Sequence, residues 1–305
     1  LNSEQGILRI SIAVTICVAG FGVIFGLLAG SFSIVFDGVY MLADAAMSGL
    51  ALGVARLIAL SAVPTGKLRE RFTMGFWHLE PMVLGLNGIM LSGVAIYALI
   101  NAIGSLMSGG RDLEFSFAIF YAAVALVACT VMAVVEMKMN KRLHSDFVAL
   151  DAKAWIMSGG ITAALLVAFS VGYAIEGTRL DWITPYIDPA VLALVCVVII
   201  PLPIGTIRQA LADIFLITPP ALKSHVDTVA QHFVERYGFV SYRAYVAKVG
   251  RGKQIELYFI VPMGWPSRRL EEWDAIRDEI GEAIGDESTD RWLTIAFTTD
   301  LEWAV

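Results

Sequence analysis

The sequence predicts a membrane-embedded all-α bundle of six transmembrane helices followed by a small cytoplasmic α+β domain. Three observations predict it. Of 305 residues, 57% are apolar and the mean hydropathy is +0.71, whereas soluble domains average about 45–50% apolar residues. The excess is concentrated in residues 7–210, in blocks long enough to cross a bilayer at about 20 residues per helix. From residue 212 onward the composition is that of a soluble domain and carries much of the charge. A transmembrane domain is therefore expected over 1–211 and a C-terminal domain over 212–305.

The spans are expected at 7–30, 31–62, 79–107, 115–137, 147–175 and 187–210. Backbone groups in lipid must pair internally, so helices are the default, and the alternation of a barrel strand is absent. The first block is too long, and too closely followed by a second, for a cleaved signal peptide. Lys67, Arg69 and Arg71 follow the second span, and Lys138, Lys141 and Arg142 follow the fourth. The other connections carry only Arg111 and Arg179. Positive charge marks the cytoplasmic side, so both termini are expected there, with Trp182 and Tyr186 in the outer aromatic belt.

The tail has the pattern α-β-β-α-β. Pro219-Pro220 stops the last span. Residues 221–236 have helical periodicity, 240–249 and 255–261 are strand-like around an Arg251-Gly252 turn, 268–284 is an amphipathic helix, and 293–298 is a last strand. Two helices over one face of a three-stranded sheet would make a small α+β unit.

Several function classes are excluded. A net charge of −6 with no basic stripe gives no nucleic-acid partner. Cys17, Cys129 and Cys196 lie in apolar blocks without CxxC spacing and are read as small buried hydrophobes. No nucleophile–base pair, phosphate-binding glycine loop or HExxH is present, so the chain is not an enzyme.

The chemistry lies in ionisable residues inside the spans, which are costly there and so mark function. Asp37, Tyr40 or Met41, and Asp44 share one face of the second span, the two aspartates roughly 10 Å apart along its axis. They suit one water-filled path, or Asp37 pairs with a neighbouring helix instead. Asp151 and Ser158 repeat the spacing on the fifth span, where Ser158, Gly159 and Gly160 would permit close helix approach. The alternative reading of Asp151 is a pair with a snorkelling Lys153 near the cytoplasmic end. Asp188 before Pro189 is expected to cap the sixth helix.

The stretch Ser31-x-Ser33-Ile-Val-x-Asp37-Gly-x-Tyr40-x-x-x-Asp44-x-x-x-Ser48 resembles the second-helix signature of cation diffusion facilitators. Phe72-x-x-Gly75-Phe-x-His78-x-Glu80-Pro81 is similar to that family's approach to its third helix. Asp188-Pro189 and residues 211–219 resemble the start and exit of its sixth. The order and lengths agree along nearly the whole chain.

The resemblance implies a homodimer in a bacterial inner membrane that exports divalent cations against protons, with no permanently bound cofactor. It places the metal between the second and fifth helices, in four slots that fall here on Tyr40, Asp44, Ala154 and Ser158. Only Asp44 is a conventional ligand, so a tetrahedral zinc site is not supplied. An oxygen-rich set of Asp44, Tyr40, Ser158, Asp37 and Asp151 with water suits Mn²⁺ or Fe²⁺ better than Zn²⁺. The alternative is a non-transporting member that acts as a membrane scaffold or regulator. The family's cytoplasmic metal positions align with Tyr258, Asp274, Ala296 and Thr298. His225 and His232 stand seven apart on one helix face, too far to chelate one ion, and the domain is read as a dimerisation module. His78 is read as a structural partner of Glu80 at a helix N-terminus.

Overall fold

The computed structural model describes residues 4–61, 72–73, 75–143, 146–288 and 290–304, so Lys67, Arg69 and Arg71 lie outside the described residues. Among the described residues, six helical stretches are long and apolar enough to cross a membrane. The helices are α1 (Glu4–Ala29), α2 (Phe32–Ser61), α3 (Leu79–Met107), α4 (Phe115–Leu143), α5 (Asp146–Ile175), α6 (Thr184–Ile199) and α7 (Ile204–Ile214). The chain forms two compact units, one of residues 1–50 and 87–205, the other of residues 51–86 and 206–305.

In the first unit α4 packs along α5 and α1 along α4. Their shared core holds Ile34, Phe115, Tyr121, Leu165 and Phe169. Leu27, Val127, Val167 and Leu194 stand exposed on the outside, the apolar surface that lipid covers. α1 and α2 come together at glycines. A Cβ on Gly26 would sit 2.6 Å from the Val35 nitrogen, and one on Gly38 would sit 2.7 Å from the Ala19 carbonyl oxygen. The expected glycine approach of the second and fifth helices is not found. Gly159 faces Cys129 of α4, and Gly160 has nothing within 4 Å.

The sixth span departs from expectation in two ways. It is broken: α6 ends at Ile199, four residues in turns follow, and α7 begins at Ile204. Pro201 and Pro203 explain the break, since neither can donate a helical hydrogen bond. Asp188 is also not the cap of its own helix. α6 starts at Thr184 with proline in its first turn, which leaves Asp188 and Pro189 inside it. Asp188 instead caps α2. Its carboxylate accepts from Ser31 Oγ at 2.5 Å, from the Phe32 amide at 3.0 Å and from the Ser33 amide at 3.3 Å. Ser33 Oγ returns a bond to the Asp188 carbonyl at 2.9 Å. Pro189 has no N–H for the carbonyl four residues back, and that Pro185 oxygen accepts from the Arg111 amide at 2.8 Å.

In the second unit the tail follows its expected order: α8 (Pro220–Tyr237), β1 (Ser241–Val249), β2 (Gly252–Ile260), α9 (Leu270–Ile284) and β3 (Arg291–Thr298). β2 is central, antiparallel to β1 and parallel to β3. Alternate residues Ile255, Leu257 and Phe259 of β2 are buried against Val226, Ala230 and Phe233 of α8 and Ile276, Ile280 and Ile284 of α9, the two-residue period of a sheet with one covered face.

The same unit holds a tie between the start of α3 and the β1–β2 turn. Glu80 accepts from the Arg251 amide at 3.2 Å, from its Nε at 2.9 Å and from its Nη2 at 3.3 Å. Glu80 is therefore the partner of Arg251, not of His78, which is exposed just before the helix. Both partners remain partly exposed, so Arg251→Ala should cost only about 0.2–1 kcal/mol. Chemical denaturation should show that loss shrinking in high salt, where exposed charges are screened. An effect independent of salt would mean that the backbone turn, not the ion pair, makes the contact.

Candidate functional site

A cavity of about 220 Å³ opens in the first unit between α2 and α5. From α2 it takes Ser33, Phe36, Asp37, Tyr40, Met41 and Asp44. From α5 it takes Asp151, Ala154, Trp155, Met157 and Ser158, with Ile161 and Leu165 beyond them. Thr15 of α1 contributes one hydroxyl. Leu192, Val195 and Ile199 of α6, with Leu202 in the break after it, close an apolar side. The α2 set falls at helical spacing because positions three, four and seven apart share a face. Irregular backbone at membrane depth is tolerated where it lines such a space.

Asp37, Tyr40, Asp44, Asp151 and Ser158 all line this one cavity. Asp37 also accepts a hydrogen bond of 2.8 Å from the buried Tyr121 hydroxyl of α4, so it pairs with a neighbouring helix and faces the cavity at once. The Asn87 side chain of α3 is in hydrogen-bonding reach of Asp44, and the Asp151 carboxyl is close enough to act on its charge. Tyr40 packs its ring on Phe36, centroids 5.6 Å apart. Ser158 Oγ accepts a weak hydrogen bond of 3.8 Å from the Cys129 thiol. Ala154 contributes no donor. Among the described residues Asp151 forms no ion pair with Lys153, which is exposed.

Sequence reasoning missed several groups. Met157 adds a thioether to the wall, where only Met41 was expected. Thr15 was hidden in a span with no acidic neighbour. Asn87 has a buried side-chain carbonyl oxygen without a hydrogen-bond partner among the described residues. Glu136, fully buried in α4, also has no hydrogen-bond partner for either oxygen among the described residues. Its signal was a single acid inside an apolar run, masked by the basic residues that follow it.

The donor chemistry limits what can bind. Among the described residues no three His, Cys, Asp or Glu side chains converge closely enough to enclose an ion. The carboxylates and hydroxyls are spread over the walls, so a cation here keeps part of its water, as hard cations with oxygen ligands do. In the tail, the three aligned positions that carry a side-chain oxygen are otherwise engaged. Tyr258 is 3.4 Å from Glu256, Asp274 pairs with Arg277 at 2.5 Å, and Thr298 bonds the Asp300 carbonyl. His225 bonds the Ile284 carbonyl at 3.0 Å, tying α8 to the end of α9.

Comparison with known proteins gives two results. Residues 8–215 match the family described as the cation efflux transmembrane domain. The chain is also 30% identical over 246 residues to the manganese efflux system protein MneP of Bacillus subtilis (strain 168). That match covers 80% of this chain and 74% of the relative.

Proposed function

The chain belongs to the cation efflux family, and on that premise we propose that it exports a hydrated divalent cation against protons, manganese(II) being the favoured cargo. It is a transporter and not an enzyme. The observation that carries the reading is the cavity between α2 and α5, whose otherwise apolar wall bears Asp37, Asp44 and Asp151 with the hydroxyls of Tyr40 and Ser158. A carboxylate in such a setting is costly when empty, so it holds either a metal or a proton. Asp44 is the central ligand, with Asp37 and Asp151 lining the path. Protons compete for the same oxygens on the far side, which drives alternating access. Oxygen donors with retained water favour Mn²⁺ or Fe²⁺ over Zn²⁺, and the resemblance to a manganese efflux protein points the same way.

In this reading both termini and the domain over 212–305 are cytoplasmic, and that domain joins two copies of the chain in a homodimer. The test is a calorimetric screen of Mn²⁺, Fe²⁺, Zn²⁺ and Mg²⁺ on the purified protein. Saturable Mn²⁺ binding is expected. The absence of Ala154 as a donor favours one other reading, a non-transporting scaffold or regulator, and no binding of any ion at saturating concentration would select it.

Asp37→Ala should reduce transport by about tenfold or less, the ~1.4 kcal/mol of one charge-assisted contact, because Tyr121 already occupies one of its oxygens. Manganese uptake into inverted vesicles reads this. A loss as deep as that from removing Asp44 would move the core of the site to Asp37.

A further inference from the structure

Glu136 is fully buried on α4, close to the end of its span. Neither of its carboxylate oxygens has a hydrogen-bond partner among the described residues, and none of their ion pairs includes it. An acid in that position is expensive unless something compensates it. Two groups stand beside it, the carboxyl of Asp151 on α5 and the hydroxyl of Ser11 on α1. Ser11 is itself buried and is fixed by the Trp155 indole, whose Nε1 donates to Ser11 Oγ at 2.8 Å. Asp151 lines the cavity, so Glu136 stands behind the wall that a cation meets.

Two neighbouring acids in an apolar wall repel one another and call for positive charge between them. No arginine or lysine supplies it among the described residues. The arriving cargo does. Two carboxylates and a hydroxyl, completed by water, form an oxygen set suited to a hard divalent cation. Asp44 is also within electrostatic reach of Asp151, so Asp151 has one acid neighbour on α2 and another on α4.

We propose that Glu136, Asp151 and Ser11 form a second station for the divalent cation, next to the station at Asp44 and reaching beyond the α2–α5 pair to α4 and α1. The proposal rests on the transport reading above, and it places α4 and α1 in the ion path. A cation held there is handed to Asp44 by Asp151, the one acid adjacent to both.

The test is Mn²⁺ titration calorimetry on the full-length protein in detergent, with Glu136→Gln, Asp44→Asn and the double variant. Glutamine keeps the shape of a protonated glutamate and removes the charge. Two Mn²⁺ per protomer are expected for the unaltered chain, one for each single variant and none for the double. Ser11→Ala, which leaves both acids in place, should weaken the second event about tenfold, and gel filtration checks that each variant remains folded. Glu136→Gln binding two ions with unchanged affinity would mean that Glu136 is simply protonated, and the proposal falls. A single site in the unaltered chain that vanishes with Asp44→Asn overturns the second station and leaves the transport reading intact. No binding by the unaltered chain removes both.

Discussion

Asp44→Ala should abolish metal-driven proton flux in proteoliposomes, a fall of about a hundredfold or more, equivalent to ~2.7 kcal/mol of lost cation binding. Asp44 is the acid that Asp151 and Asn87 both approach. Without it, α2 offers the ion only the neutral Tyr40 hydroxyl and Asp37, one of whose oxygens already accepts from Tyr121, and Asp151 of α5 is left without an acid facing it from α2 at that level. Neutral oxygens do not repay the dehydration of a divalent ion in an apolar cavity. Asp44→Asn separates charge from shape and should lose nearly as much. A pH-sensitive dye inside the vesicles, followed after a pulse of Mn²⁺, makes the measurement. Flux above a third of the normal rate in either variant would show that Asp44 is not the central ligand.

The second large effect concerns stability. Asp188→Ala should destabilise the first unit by roughly 2–4 kcal/mol, because three hydrogen bonds to one buried carboxylate are lost together. The Phe32 and Ser33 amides would then be left unpaired at a helix end, where no internal partner exists. Asp188→Asn can still accept at one oxygen and should lose about half as much. Thermal melting in detergent compares the two, with Ser31→Ala as a milder third variant. Equal melting temperatures for Asp188→Ala and the unaltered chain would mean that water or lipid headgroups satisfy these amides.

Much of this architecture was legible in the sequence. Length and hydropathy place the third span at residues 79–107, the same bounds as α3, because a bilayer imposes its thickness on any helix that crosses it. The strand alternation of the tail survives as the buried row Ile255, Leu257, Phe259. Helical spacing likewise anticipated that Asp37, Tyr40 and Asp44 would share one wall. What remained hidden depends on relations between segments. Asp188 looked like a cap because Asp-Pro is a local capping signal, yet the amides it serves are more than 150 residues away in sequence. Glu136 gave no periodic partner on its own helix. Its neighbours come from α1 and α5, and one sequence contains no record of which helices face each other. The Pro201 and Pro203 break was visible as composition but was absorbed into a long apolar run.

The bonds between Asp188 and the start of α2 bear on how the protein can move. A helix held through its own first amides can tilt about that point but cannot glide lengthwise without tearing all of them away at once. α2 and α6 are therefore expected to move as a hinged pair, and in the proposed alternating-access cycle the stroke that turns Asp44 from one side to the other would carry both. The Arg111 guanidinium, 4.1 Å from the centre of the Phe32 ring, sits on the same pivot, so the connection between α3 and α4 would swing with it.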